Sequence, residues 1–120
     1  MGCIYIVDDD EAVRDSLAAF LEACGYAVTC FASALALLTA HGEAAECLCI
    51  LVDVHMPGMN GIELLEELRA RGIATPTIFI TAADNPGLRA SAAAQGGLSF
   101  LNKPVDGDTL LQAIASIDKD

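Results

Sequence analysis

Positive charge is what this chain has least of. Six Lys and Arg stand against 17 Asp and Glu, a formal net charge of −11. So acidic a surface repels phosphate backbones and anionic lipid headgroups, which argues against direct nucleic-acid binding and against a membrane partner. It suits a site that gathers cations or meets a basic partner. The chain also lacks an apolar run of membrane length and a basic-then-apolar leader at its start. Internal repeats, low-complexity linkers and breaks in composition are missing too. The five cysteines, Cys3, Cys24, Cys30, Cys47 and Cys49, are odd in number and lack the spacing of a small disulfide framework. Cys47-x-Cys49 is not the two-residue spacing of a zinc knuckle, and no His follows at ligand distance. These absences predict a soluble, cytoplasmic protein in a reducing compartment. Its cysteines are expected to serve as small buried hydrophobes, a redox role being the alternative.

What is present is 120 residues, 54% of them apolar. That is the length of a single domain, 1–120, able to bury a core without staples and too apolar for disorder. Residues 3–7 form an apolar, β-branched run that stops at acids. Residues 11–24 place Val13, Leu17, Phe20 or Leu21, and Cys24 on one helical face, with Gly25 closing the helix. A second strand spans 26–31. Ser33 can cap a short helix carrying Leu35, Leu37 and Leu38, ending near Gly42. Residues 47–52 form another apolar strand, halted by Asp53, and 56–61 form a Pro- and Gly-rich loop. A helix over 62–71 carries Ile62, Leu65 and Leu68 in register, and Gly72 closes it. A strand over 77–80 ends at Thr81. Asp84-Asn85-Pro86 opens an Ala-rich helix over 86–95 with a weak apolar stripe. A short strand follows over 98–101. Asp106 or Asp108 caps a last helix with Leu110 or Leu111, Ile114 and Ile117 on its buried side.

Apolar strands alternating five times with helices predict an α/β fold, a parallel sheet covered on both faces. Right-handed crossovers leave the doubly wound five-stranded order 2-1-3-4-5, the flavodoxin-like arrangement, as the expectation. Ligands of such sheets sit beyond the carboxyl ends of the strands. Here the first strand ends in Asp8-Asp9-Asp10-Glu11, the third in Asp53, the fourth in Thr81 and the fifth in Asn102-Lys103-Pro104. Converging carboxylates repel and raise one another's pKa. A hard divalent cation relieves this, and Mg²⁺ is the usual choice where phosphate is handled, because it keeps waters and takes only a couple of carboxylates. Metal, lysine and hydroxyl together can surround the three oxygens of a phosphoryl group, and a carboxylate held beside them can be its nucleophile.

Four segments, Ile6-Val7-Asp8-Asp9-Asp10, the stretch 51–61 with Asp53-Val54-His55-Met56-Pro57-Gly58-Met59-Asn60-Gly61, Ile80-Thr81-Ala82 and Asn102-Lys103-Pro104, resemble a response-regulator receiver domain of two-component signalling. The likeness runs in order over essentially the whole chain. It implies that Asp53 accepts a phosphoryl group from a sensor histidine kinase or a phosphotransfer protein. It implies that Asp8, Asp9, Asp53 and the backbone carbonyl of His55 make the Mg²⁺ site. It further implies that Thr81 senses the phosphoryl group, that the Ala82 backbone N–H and Lys103 contact its oxygens, and that the Lys103–Pro104 bond is cis. His55 and Ala83 would border the group and tune access of hydrolytic water. Phe100 matches the switch aromatic. It would turn inward as Thr81 moves, reshaping the face made by the 86–95 helix, the 98–101 strand and the last helix, where an output domain or partner docks. Phosphorylation-dependent homodimerisation is the other expected use of that face. The resemblance makes the protein a signalling switch that turns over only its own aspartyl phosphate.

The same residues also have plain structural readings. Asp8–Glu11 suits a solvated helix start, Asp53 and Thr81 suit strand-end turns, Lys103 a surface position, Phe100 the core, and His55 an exposed loop. Gly96-Gly97 stands where the family usually has Gly-Ala, which predicts a loose approach to the last strand and mobility around 86–95. A haloacid-dehalogenase-type phosphatase would need Thr where Ala12 stands, and a flavodoxin would need a phosphate loop where the acids stand. A receiver fold used only as a scaffold is the third alternative. The chain is expected either to act alone or to be the receiver of a longer transcription factor.

Overall fold

Why five short runs become a sheet is visible in their burial. In the computed structural model, which describes residues 2–40, 47–81, 90, 99–103 and 105–117, β3 (Cys49–Asp53) and β4 (Thr77–Thr81) are buried at every position. Strand β1 (Cys3–Val7) is buried from its second residue onward. β2 (Ala27–Phe31) is largely exposed, and β5 (Ser99–Asn102) closes the opposite edge. The order is β2-β1-β3-β4-β5, with every pair parallel. The predicted doubly wound topology is therefore the observed one, and the chain reverses direction of winding between β1 and β3.

Four described helices cover the sheet: α1 (Glu11–Ala23), α2 (Ala34–Thr39), α3 (Gly61–Ala70) and α4 (Gly107–Ile117). Alternation along the strands splits the core in two. Tyr5, Val7, Ile50, Val52 and Phe79 face Leu37 and Leu38 of α2 and Leu64, Leu65 and Leu68 of α3. Ile4, Ile6, Leu51, Ile78 and Ile80 face Leu17 and Leu21 of α1 and Leu110 and Ile114 of α4. Of the open choices, Leu21 rather than Phe20 and Leu110 rather than Leu111 are the buried ones. Leu35, one of the three leucines expected on this helix, is 70% exposed, on the face opposite the buried Ala34, Leu37 and Leu38 of α2.

Boundaries shift by a residue or two. Cys24 caps α1 rather than belonging to it, and Gly25 follows with a φ of 99°. Asp53 and Thr81 lie inside their strands rather than just past them. Cys47 and Cys49 are buried as expected, and Cys3 and Cys24 are half-buried. Cys30 corrects the expectation of buried cysteines: it lies exposed on the edge strand β2, where no further strand covers it. Of the expected helix over 86–95 only Ala90 is described, helical and exposed, and Gly96-Gly97 fall outside the described residues. No helix among the described residues is long and apolar enough to cross a membrane.

Candidate functional site

The run Asp8–Glu11 divides by position. Asp10 is the N-cap of α1, its side chain accepting the backbone N–H groups of Ala12 and Val13 at 2.9 and 3.3 Å. Glu11 sits in the first helical turn, where the dipole favours an acid. These two residues follow the structural reading. Asp8, only 2% exposed, turns inward instead, and Asp9 stays exposed at the rim. Carboxylate oxygens of Asp8, Asp9 and Asp53 all lie within 4.8 Å of one another.

Asp53 reaches this crevice because it is the last residue of β3, on the same sheet face as Cys49 and Leu51. Its Oδ1 accepts the His55 backbone N–H at 3.2 Å. Lys103, just past β5, spans the crevice: its Nζ is 3.1 Å from Asp8 Oδ2 and 3.3 Å from Asp53 Oδ2. The Lys103 N–H also donates to the Thr81 carbonyl at 2.7 Å, so the end of β5 is tied to the end of β4. Thr81 is fully buried there, and Phe100, half-buried, packs near Phe79 with ring centroids 6.0 Å apart. His55 is exposed, in line with the loop reading of its side chain. Ala82, Ala83 and Pro104 lie outside the described residues.

The electrostatics follow from this crowding. Burial pushes the Asp53 carboxyl above the usual carboxylate range and Asp8 pushes it further. The His55 N–H and Lys103 pull the other way without cancelling the effect. Burial alone would lower the Lys103 ammonium, but the Asp8 and Asp53 carboxylates outweigh it and hold the group above its ordinary value. Three oxygen donors of one sign, two of them buried, face a single lysine. That donor set fits a small hard cation better than it fits the lysine alone.

The supporting contacts of three residues were not read from the sequence. Gly61 opens α3 so close to the strand end that a Cβ there would stand 2.7 Å from the Asp53 carbonyl oxygen. Its N–H donates to the Val54 carbonyl at 3.0 Å, folding the loop back onto the strand that bears Asp53. Asn60, taken as loop, makes a reciprocal capping box with Glu63 at 2.9 Å in each direction. Its signal was in view as Asn-x-x-Glu before an apolar run. Arg14 donates from Nη1 to the Asp8 carbonyl at 2.7 Å. Its only sequence signal is an arginine one turn into a helix, at the end where a cation is disfavoured.

Comparison with known proteins matches residues 4–115 to the family described as the response regulator receiver domain. The chain is 43% identical over 111 residues to the transcriptional regulatory protein FixJ of Azorhizobium caulinodans, covering 92% of this chain and 52% of that protein. It is 39% identical over 115 residues to FixJ of Bradyrhizobium diazoefficiens, covering 96% and 56%. It thus spans about half the length of these curated relatives. Among solved structures, FixJ-N superposes with a TM-score of 0.89 at 33% identity, covering 98% of this chain and 93% of that one. The chemotaxis protein CheY4 of Vibrio cholerae gives 0.88 at 28% identity, covering 98% of each chain. These matches decide against the phosphatase and flavodoxin alternatives, and the chain belongs to the family of response-regulator receiver domains.

Proposed function

We propose that this receiver is a phosphorylatable switch whose acceptor is Asp53. The observation that carries the reading is the Lys103 ammonium lying between Asp8 and Asp53 at the carboxyl ends of three adjoining strand pairs, with Asp9 at the rim. Asp8, Asp9 and Asp53, with the backbone carbonyl of His55, would hold Mg²⁺. When bound, that ion supplies charge neutralisation and orientation for phosphoryl oxygens. Asp53 attacks the phosphorus of a phosphohistidine on a sensor kinase or phosphotransfer protein. A P–O bond to the carboxylate forms, the P–N bond breaks, and the imidazole nitrogen keeps the bonding pair and takes a proton from solvent. In this product the charge lies on phosphoryl oxygens beyond the carboxyl group, where the Lys103 ammonium offsets it. Thr81 and the Ala82 N–H are the further donors to the transferred oxygens.

Slow attack of water on phosphorus, with cleavage of the same P–O bond, resets the carboxylate, and His55 and Ala83 border its path. Movement of Thr81 toward the phosphoryl group frees the space into which Phe100 turns. The change reaches the face around β5 and α4 that meets an output domain, a protein partner or a second copy. The relatives are transcriptional regulators, which supports such an output in a cytoplasmic setting. The test is incubation with acetyl phosphate and Mg²⁺, followed by intact mass. One phosphoryl group, labile to alkali and released by hydroxylamine as an acyl phosphate is, is expected on the wild type and not on Asp53→Asn. An adduct that survives Asp53→Asn, or forms equally in chelator, would overturn the reading.

A further inference from the structure

A cation in the first turns of a helix works against the helix dipole. Arg14 occupies that position in α1, four residues after the N-cap Asp10, in a chain with only six basic residues. Its backbone N–H makes the ordinary helical bond to the Asp10 carbonyl at 3.0 Å, so the helix does not need the guanidinium. Side chains on a helix point back toward its N-terminus. The Arg14 side chain follows that direction past its own cap and donates to the Asp8 carbonyl at 2.7 Å. That carbonyl belongs to the peptide unit joining Asp8 to Asp9. The rest of Asp8 is tied as well: its N–H donates to the Phe31 carbonyl at 3.1 Å, its Oδ1 accepts the Asp10 N–H at 2.9 Å, and its Oδ2 meets Lys103. The Arg14 bond adds a hold on the 8–9 peptide plane, whose orientation bears on where the exposed Asp9 carboxylate stands relative to Asp8 and Asp53.

We propose that Arg14 is a positioning residue for the cation site, clamping the Asp8–Asp9 peptide so that both carboxylates face Asp53. This rests on the reading of Asp8, Asp9 and Asp53 as a Mg²⁺ site. Geometry and charge predict opposite signs, which makes the proposal decidable. As a mere positive charge near the acids, Arg14 opposes cation binding, and its removal tightens Mg²⁺. As a clamp, it aids binding, and its removal weakens Mg²⁺ by about tenfold, the scale of an outer partner that orients a ligand. The experiment is calorimetric titration of the 120-residue chain with MgCl₂ alone, for wild type, Arg14→Met and Arg14→Lys, with a metal-free melt of each. The expected result is a weakening of about tenfold in Arg14→Met and a smaller loss in Arg14→Lys, whose single ammonium can still donate to one carbonyl. Equal or tighter binding by Arg14→Met overturns the proposal. If Arg14→Met does not fold, Arg14→Gln carries the same comparison with the same two outcomes. No binding by the wild type overturns the cation-site reading itself, and the clamp with it.

Discussion

Four consecutive acids show how much depends on single positions. Asp10 and Glu11 are the cap and first turn of α1, while Asp8 and Asp9 bring carboxylate oxygens within 4.8 Å of Asp53. A Cβ at Gly61 would stand 2.7 Å from the Asp53 carbonyl oxygen, against backbone that cannot rotate away. Gly61→Ala would normally favour a helix, yet here a loss of about 1–3 kcal/mol is expected from overpacking. Displacing Asp53 should also slow phosphorylation by acetyl phosphate about tenfold. A melt and a time course of adduct mass check both. The cysteines divide by burial as well. Burial, with Cys3 nearby, pushes the Cys47 thiol up to about 12. A raised thiol pKa stabilises the fold fully below the ordinary value of 9.0, and that contribution is lost as pH climbs from there toward about 12. Cys47→Ala should therefore flatten the fall of melting temperature above pH 9.0. At neutral pH, iodoacetamide followed by peptide mass should label exposed Cys30 well before Cys47 or Cys49.

Elements carry the site by their ends. α1 begins with a cap, and α3 begins with a capping box beside Asp53. At α4, Asp106 rather than Asp108 accepts the Thr109 N–H at 3.0 Å. Strand ends supply Asp53, Thr81 and Lys103, while helix starts hold the loops around them. Asn60→Ala removes one half of the α3 box. It should lower stability by about 1 kcal/mol, seen as a lower urea midpoint with an unchanged slope. A changed slope would mean that α3 detaches rather than frays. At the other end of α3, Arg69 donates to the Ile73 and Thr75 carbonyls at 2.9 and 3.1 Å, binding the turn that leads into β4.

At the scale of the molecule, net charge dominates. With a charge of −11, self-repulsion opposes compaction at low ionic strength. Raising NaCl from about 10 to 200 mM shortens the Debye length from about 30 to below 10 Å and should raise the melting temperature by a few degrees. A melting temperature that falls with salt would mean that ion pairs such as Arg71–Glu67 and Lys103–Asp8 outweigh the repulsion.

Local chemistry made the alternating elements, the parallel sheet and its order legible in the chain itself. An apolar run, a stop at an acid and a glycine after a helix each speak through neighbours a few residues away, as Leu17 and Gly25 do. The candidate site residues were legible for the same reason, since Asp8, Asp53, Thr81 and Lys103 stand at or just past the ends of their strands. What tertiary structure alone decided is which neighbours those ends meet. The choices of Leu21 over Phe20, Cys30 outward at an edge, Asp8 inward and Asp10 as cap all depend on which element lies across the gap. So do the clearance at Gly61 and the reach of Arg14. Contacts between residues far apart in the chain, such as Lys103 with Asp8, exist only once the crossovers have brought the strand ends together.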